Sequence, residues 1–538
     1  LTQVALGVVM AGRNLLAQDG SPGAVGGRVD GAAVPLHAAW LEGWSPLRAI
    51  ADLGRHPHRA PAPRGVDVPR TGVGPFLLAG APGAIATDVA RLDSIRWGYL
   101  GASDMRETGA FRRPFDPVQS VVQAVMGIGW QPVGKRGRAM GAFSVDRERQ
   151  DPGGLTSRVT PYSASPFVLA DSATPTMERA RVRLEGALGG HVGGWSGGLS
   201  AGVDARQHNS VDSPVRRTAR QAVPAVAGGV ERAFGGWGRL GLFGRWTEQV
   251  ETQQLTASPG SATYYAVRGV ARPVPYLLAG ASVLARVERR ASAHGLTASV
   301  RAMGADLVAV WETSQRTEDQ FLAPFQAQRP TDRWRPRGQS LRTALQRPFA
   351  RHGRLQVTAS HETLSGEATR GDLTGLAVQV EERRQALEAE VRWRWRGMDL
   401  LGFGGVIRHD RTVVDFVAQV EGLTQRTTPF SGVEAFVRHG GWGVTAGASH
   451  AASQGSGRLP ILAQQDATYG RLVAPDLAYE VATVSAWSGW LRLAHQVAGK
   501  AADLTVRVDG ASPVAVDMAR AQPGGQRRRL TVGIGVRP

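Results

Sequence analysis

Gln385–Arg396 reads QALEAEVRWRWR, and its polarity repeats every second residue. Leu387, Ala389, Val391, Trp393 and Trp395 fall on one face, and Glu388, Glu390, Arg392, Arg394 and Arg396 on the other. A helix, turning about 100° per residue, would scatter those charges around its cylinder, so the stretch is a strand. One of its faces is oily and ends in two tryptophans; the other is ionic. A membrane barrel turns the first toward lipid and the second toward a watery lumen, whereas a soluble sandwich buries the first.

Composition agrees with an all-β chain. The 69 glycines among 538 residues exceed the usual share of about 7%, which suits many turns and tightly curved strands. Cysteine is absent, which excludes disulfides, thiolate metal sites and thiol nucleophiles. The formal charge of +18 invites a nucleic-acid reading, but the basic residues are arginines spread along strands, with Lys135 and Lys500 the only lysines. Nucleic acid is therefore not an expected partner. No window supplies the roughly 18–20 apolar residues of a membrane helix, so a membrane location requires a closed sheet.

Residues 1–18 resemble the remnant of a signal peptide, and 19–92 form a Gly/Pro-rich leader or plug. Strand alternation runs from 93 to 538. It is cleanest in Arg179–Leu188, where Arg179, Arg181, Arg183 and Glu185 oppose Ala180, Val182, Leu184 and Gly186, and in Trp195–Arg206, which carries Asp204 and Arg206. Leu277–Arg290 and Gly295–Val310 read as a hairpin; Leu373–Arg384 and Gln385–Arg396 read as two strands; Tyr479–Gly489 reads as another. Long polar stretches at Asp151–Thr176, Thr252–Pro275 and Glu312–Ser340 read as loops, while turns such as His439–Gly441 are tight. Tight turns alternating with long loops are the habit of outer-membrane barrels, and the count predicts 14–18 antiparallel transmembrane strands of about 10 residues each. Trp195, Trp246, Trp393, Trp395 and Trp442 are the expected interfacial aromatics.

The run GRAMGAFSVDRER, then PYSASPFVLAD, then RVRLEGALGGHVGGWSGGLSAGVDAR, resembles an uncharacterised group of outer-membrane β-barrels from Bacteroidota and related phyla. The resemblance covers about residues 93–538. It implies an outer-membrane location and association with TonB-dependent uptake systems, and it brings no catalytic residues.

Chemistry-bearing constellations are few. Gly194–Gly198 matches G-x-S-x-G around Ser196, but that motif needs a strand, a sharp turn and a helix, and here it lies among alternating strand residues. The 12 histidines show no metal-ligand spacing; His361-Glu362 and His409-Asp410 place neighbouring side chains on opposite faces of a strand, and His56 and His58 lie in a Pro-rich stretch. No phosphate loop, dinucleotide fingerprint or Ca²⁺ loop is present, so no cofactor or metal is expected. Arginine and glutamate rows are expected to pair across strands inside the lumen, each pair contributing about 0.2–1 kcal/mol. The expected function is passage or capture of a solute, not catalysis, with the long loops as gate or binding surface. Expected partners are outer-membrane lipid, lipopolysaccharide, and a TonB-dependent receptor or surface lipoprotein. The alternative is a structural or adhesive barrel with a closed lumen; an outer-membrane hydrolase and a soluble basic β-protein are the remaining classes.

Overall fold

The computed structural model describes residues 97–537, apart from 153–164, 172–173, 212–214, 258–263, 269–273, 277–281, 324–329, 350–352, 372–374, 396, 459–471, 498–499 and 515–523. The expected signal-peptide remnant (1–18), the leader or plug (19–92), His56, His58 and Arg396 lie outside the described residues.

In chain order the strands are β1 (Trp97–Gly109), β2 (Gln119–Val133), β3 (Gly137–Asp151), β4 (Phe167–Asp171), β5 (Met177–Val192), β6 (Trp195–Ser210) and β7 (Val215–Phe234). Next come β8 (Gly238–Ala257), β9 (Tyr264–Arg268), β10 (Val274–Tyr276), β11 (Ser282–Ala302), β12 (Ala305–Ala323), β13 (Asp332–Phe349) and β14 (Gly353–Arg370). The last are β15 (Leu376–Trp395), β16 (Met398–Asp415), β17 (Val420–His439), β18 (Trp442–Arg458), β19 (Val484–Val497), β20 (Lys500–Pro513) and β21 (Arg527–Arg537), with one helix, α1 (Ala474–Glu480), before β19. Eighteen of the strands form one antiparallel sheet; β4, β9 and β10 form a separate three-stranded sheet. Each long strand pairs with its neighbour in sequence, and β1 closes the ring by pairing with both β2 and β21, as in Trp97↔Trp130 and Leu100↔Val536. Closure removes every free edge, which is the condition for a sheet to live in hydrocarbon.

The two ends of the barrel differ. At the end holding Trp97 and Arg537, neighbouring strands are joined by short turns: Val192 to Trp195, Ala302 to Ala305, His439 to Trp442. Gly440 and Gly441, at φ +54° and +89°, supply the left-handed pair that a two-residue hairpin turn requires. At the other end the chain runs from Asp151 to Met177, Ala257 to Ser282 and Arg458 to Val484 between barrel strands.

Outward positions trace an apolar belt. On β15 they are Leu387, Ala389, Val391, Trp393 and Trp395, all exposed. On β8 they are Leu240, Leu242, Gly244 and Trp246, and on β21 Leu530, Val532, Ile534 and Val536. The β15 belt covers about 27 Å of strand, which a tilt of about 40° projects to about 21 Å, close to the apolar band of an outer-membrane barrel.

Glycine content has a specific cause here. Aromatic rings lie flat over glycines of the adjacent strand: Phe143 over Gly127, Phe243 over Gly295, Trp334 over Gly366, Trp487 over Gly510. A Cβ at Gly366 would stand 2.2 Å from Trp334 Cη2, so any other residue would displace the ring.

The predicted strand boundaries need correction. Leu277–Arg290 and Gly295–Val310 are not a hairpin: β11 runs unbroken through Gly295, and the turn comes at Met303-Gly304. The two strands expected on either side of Arg384 are one, β15. Thr252–Ala257 and most of Glu312–Ser340 are strand, not loop, and Tyr479 belongs to α1. For the strands the cause is common: with up to 21 residues they rise well past the membrane, where their outward face is wet and the apolar alternation stops.

Candidate functional site: a capped lumen

Inside the long-loop end, the described parts of the connecting segments build a cap against the barrel wall. Phe115, Phe167, Val168 and Ala170 from the loop segments, and Leu472, Val473 and Leu477 from around α1, join one apolar cluster. The wall contributes inward residues Trp334, Leu364, Val378, Val380 and Val413. Trp334 is fully buried, held between Gly366 and the cluster. The sheet of β4, β9 and β10 ties the Asp151–Met177 connection to the Ala257–Ser282 connection, through pairs such as Phe167↔Arg268.

Ionic clamps fasten this cap. Helix α1 starts with Pro475 in its first turn, where a missing N–H costs nothing, and projects Asp476 and Glu480. Arg113, from the β1–β2 connection, donates from Nε to Asp476 Oδ1 at 2.5 Å and from Nη2 to Glu480 Oε1 at 3.1 Å. From the wall, Arg411 Nη1 donates to Glu480 Oε1 at 3.1 Å, and its Nε lies 3.0 Å from Glu382 Oε1. Thr424 Oγ1 donates to Glu480 Oε2 at 3.3 Å. Tyr479 stacks on Phe111, centroids 4.8 Å apart, and takes the Arg113 and Arg426 guanidiniums over its ring at 5.9 and 5.7 Å. Across the mouth, Ser165 Oγ donates to Glu318 Oε1 at 2.7 Å, Arg289 and Arg316 donate to Glu318 Oε2 at 2.6 and 3.0 Å, and Gln320 Nε2 donates to the Phe167 carbonyl at 3.2 Å.

The two helix carboxyls are pushed in opposite directions. Burial works against charge on Glu480, but Arg411, Arg113 and the nearby His409 outweigh it and hold the group at about 2. For Asp476 burial wins over Arg113, and the neighbouring Glu480 charge adds to it, so the carboxyl lies above its ordinary value.

Lower in the barrel the inward charges pair within the wall. Asp204, with no exposed surface, receives Arg181, Arg206 and Arg183 at 2.6, 2.9 and 3.3 Å. Arg179 pairs with Glu148 at 3.3 Å, and Glu185 is buried nearby. On β15 the register places Glu388 opposite Thr358 and Gly405, Glu390 opposite Gln356 and Phe403, and Arg392 opposite Arg354 and Leu401, so these rows do not meet complementary charges across the strands. Arg394 instead bonds Asp399 across the short turn at 2.7 Å. Trp195 and Trp442 open their strands and Trp393 and Trp395 close theirs at the short-turn edge of the belt; Trp246 lies mid-strand, just below Glu248, and with Trp311 and Trp487 marks the opposite edge. Ser196 sits in the second position of β6 after a two-residue turn, without the helix a nucleophile elbow needs. Among the described residues no group of carboxylates and histidines is arranged to hold a metal. The clamp residues Arg113, Asp476 and Glu480 were not singled out in the sequence, where only the density of Arg and Glu near the loops hinted at them.

A closed antiparallel barrel with an oily belt outside and ions within is an outer-membrane β-barrel. The chain belongs to the family of unknown function DUF6850, whose model matches residues 90–537. No curated protein matches it in sequence. Solved structures similar to it include the ferric preacinetobactin receptor BauA of Acinetobacter baumannii, at 8% identity over 83% of this chain and 80% of that one, TM-score 0.38. Others are the FrpB iron transporter of Neisseria meningitidis, F5-1 variant (11%, 84% and 84%, 0.39), and the copper transporter OprC (9%, 82% and 80%, 0.38). With scores this low, the outer-membrane assignment rests on the belt and the closed sheet.

Proposed function

We propose that the chain is a gated barrel for solute uptake, whose cap disengages to admit its cargo. The observation that carries this is the way α1 is fastened: side-chain ion pairs from Arg113 and Arg411 hold it, so it can leave without breaking a strand pairing of the barrel. An energised receptor of the TonB-dependent type, or a surface lipoprotein, fits as the partner that supplies or releases cargo, in keeping with the resemblance to Bacteroidota barrels. The wild-type barrel in a planar bilayer is expected to be nearly silent. Arg113→Ala combined with Glu480→Gln is expected to produce long-lived conducting states, because it takes Arg113 from Asp476 and Glu480 from Arg411, and breaking a buried pair by removing one partner costs about 3–5 kcal/mol.

A second reading, a permanently closed adhesive or structural barrel, is favoured by the apolar cluster around Trp334 and Phe167, which no solute contact explains. Silence of both the wild type and the double variant, with the barrel still heat-modifiable on a gel, would select that reading.

A further inference from the structure

Below the cap, the lumen wall changes character on β16–β19. Inward positions elsewhere at this depth are largely small, polar or ionic, with Phe243, Val308 and Val310 among the buried exceptions, whereas here the half-buried Phe403, Phe430 and Phe436 gather with the buried Trp490 on neighbouring strands. Three of the rings lie on neighbouring glycines: Phe403 over Gly432, Phe430 over Gly405 and Trp490 over Gly447, where a Cβ would approach to 2.2, 3.0 and 2.3 Å. Phe403 and Phe430 are reciprocal, each meeting the glycine directly opposite it on the strand that carries the other. Glycine at these positions leaves the space that the rings occupy against the wall.

The flanks are polar and electrically mixed. On one side stand Glu388, Glu390 and Arg392, half-buried, with Glu390 beside Phe403 in the register. On the other, Arg492 donates to Asp503 at 2.7 Å and Arg507 to Asp509 at 2.8 Å. Within the patch, Trp490 Nε1 donates to Glu434 Oε2 at 3.3 Å. Charges of both signs on the flanks offer hydrogen-bond donors and acceptors side by side. The patch is also placed for use. Val481 of the cap abuts Gly455, which lies opposite Arg426, and Phe430 follows four residues down β17, about 14 Å along the strand.

We propose that this patch is a binding track for neutral saccharides. A pyranose ring presents an apolar C–H face, which packs on an aromatic plane, and a rim of hydroxyls, each of which donates and accepts. The half-buried rings of Phe403, Phe430 and Phe436, flanked by carboxylates and guanidiniums, match both features. A free anion matches neither the rings nor the carboxylates Glu388, Glu390 and Glu434 that stand around them.

The full-length protein in detergent, titrated calorimetrically with linear gluco-, manno- and galacto-oligosaccharides, tests this directly. At least one series is expected to bind, with Phe403→Ala and Trp490→Ala each weakening it tenfold or more and lipid-facing Trp487→Ala leaving it unchanged. Should Trp490→Ala fail to insert, Phe436→Ala takes its place. Absence of binding by every series overturns the proposal, as does equal binding by the wild type and Phe403→Ala. Binding of catechol or indole compounds in place of sugars overturns it too, because the site would then be one for aromatic solutes. The measurement is at equilibrium and independent of gating: a barrel that binds sugar but never conducts would sink the uptake reading and leave the track standing.

Discussion

The lower and upper halves of β15 have opposite polarity. From Leu387 to Trp395 the oily residues point out and Glu388, Glu390 and Arg392 point in. From Leu376 to Arg384 the buried apolar residues Val378 and Val380 point in, under the cap, and Glu381 and Arg383 point out. β13 shows the same reversal, with Trp334 inside and Arg335 and Arg337 outside above Leu341 and Leu345. In β11, Ala285 and Val287 are inside and Arg286 and Arg290 outside, above Leu296 and Val300. One continuous strand therefore serves two solvents. Its lower part is solvated by lipid outside and water inside; its upper part has water outside and a protein core inside. The place where the pattern changes phase marks the outer limit of the hydrocarbon.

The largest expected effect separates the two halves through their cores. Trp334→Ala removes the largest fully buried side chain, which lies beneath the cap, and should cost about 3–5 kcal/mol. If the halves are independent, hydrogen exchange will speed up in the upper parts of β13–β16 and around α1, while the belt segment Leu387–Trp395 keeps its protection. Uniform loss of protection over the whole strand would show that the cap core and the membrane belt form one cooperative unit.

A somewhat smaller effect concerns the outer face. Val391→Arg puts a charge into the belt and should destabilise the barrel in lipid by about 2–4 kcal/mol. Arg383→Ala, on the same face eight residues higher, should change stability by no more than about 0.5 kcal/mol. Urea titration of the protein in lipid vesicles measures both. Similar costs at the two positions would remove the phase boundary near Gln385.

That boundary also explains what the sequence disclosed. The belt was legible because apolar alternation over Leu387–Trp395 has no helical counterpart, and the barrel followed from its repetition. Strand length was not legible. Where Val378 and Val380 hand over to Leu387, the apolar set moves from even to odd positions, and a change of phase reads as a break between strands. The same switch turned the upper parts of β12 and β13 into an apparent loop, since Thr313, Gln315, Arg335 and Arg337 face water. The clamp was hidden for a different reason. Arg113 and Asp476 are separated by almost the whole barrel, and no local spacing announces a contact made by ring closure.

Acid provides the smallest and most selective perturbation, because it acts on the cap and spares the belt. Glu480 is held below its ordinary value when the cap is closed, so its contribution is complete above about 4.5 and fades as pH falls toward about 2. Asp476 is shifted the other way: the closed cap prefers it protonated, so acidification through its range favours closure. The two contributions partly cancel in the wild type, and conductance should rise only modestly between pH 5 and pH 3. Asp476→Asn removes the opposing group and should make the rise on acidification steeper. Glu480→Gln should reverse its sign, leaving a cap that leaks at neutral pH and tightens in acid. Bilayer recordings of the three proteins over that range would separate the clamp from the lumen wall, since the wall carboxylates such as Glu388 and Glu390 are the same in all three. If all three showed the same pH response, Glu480 and Asp476 would be spectators, and the upper core around Trp334 alone would be holding the mouth shut.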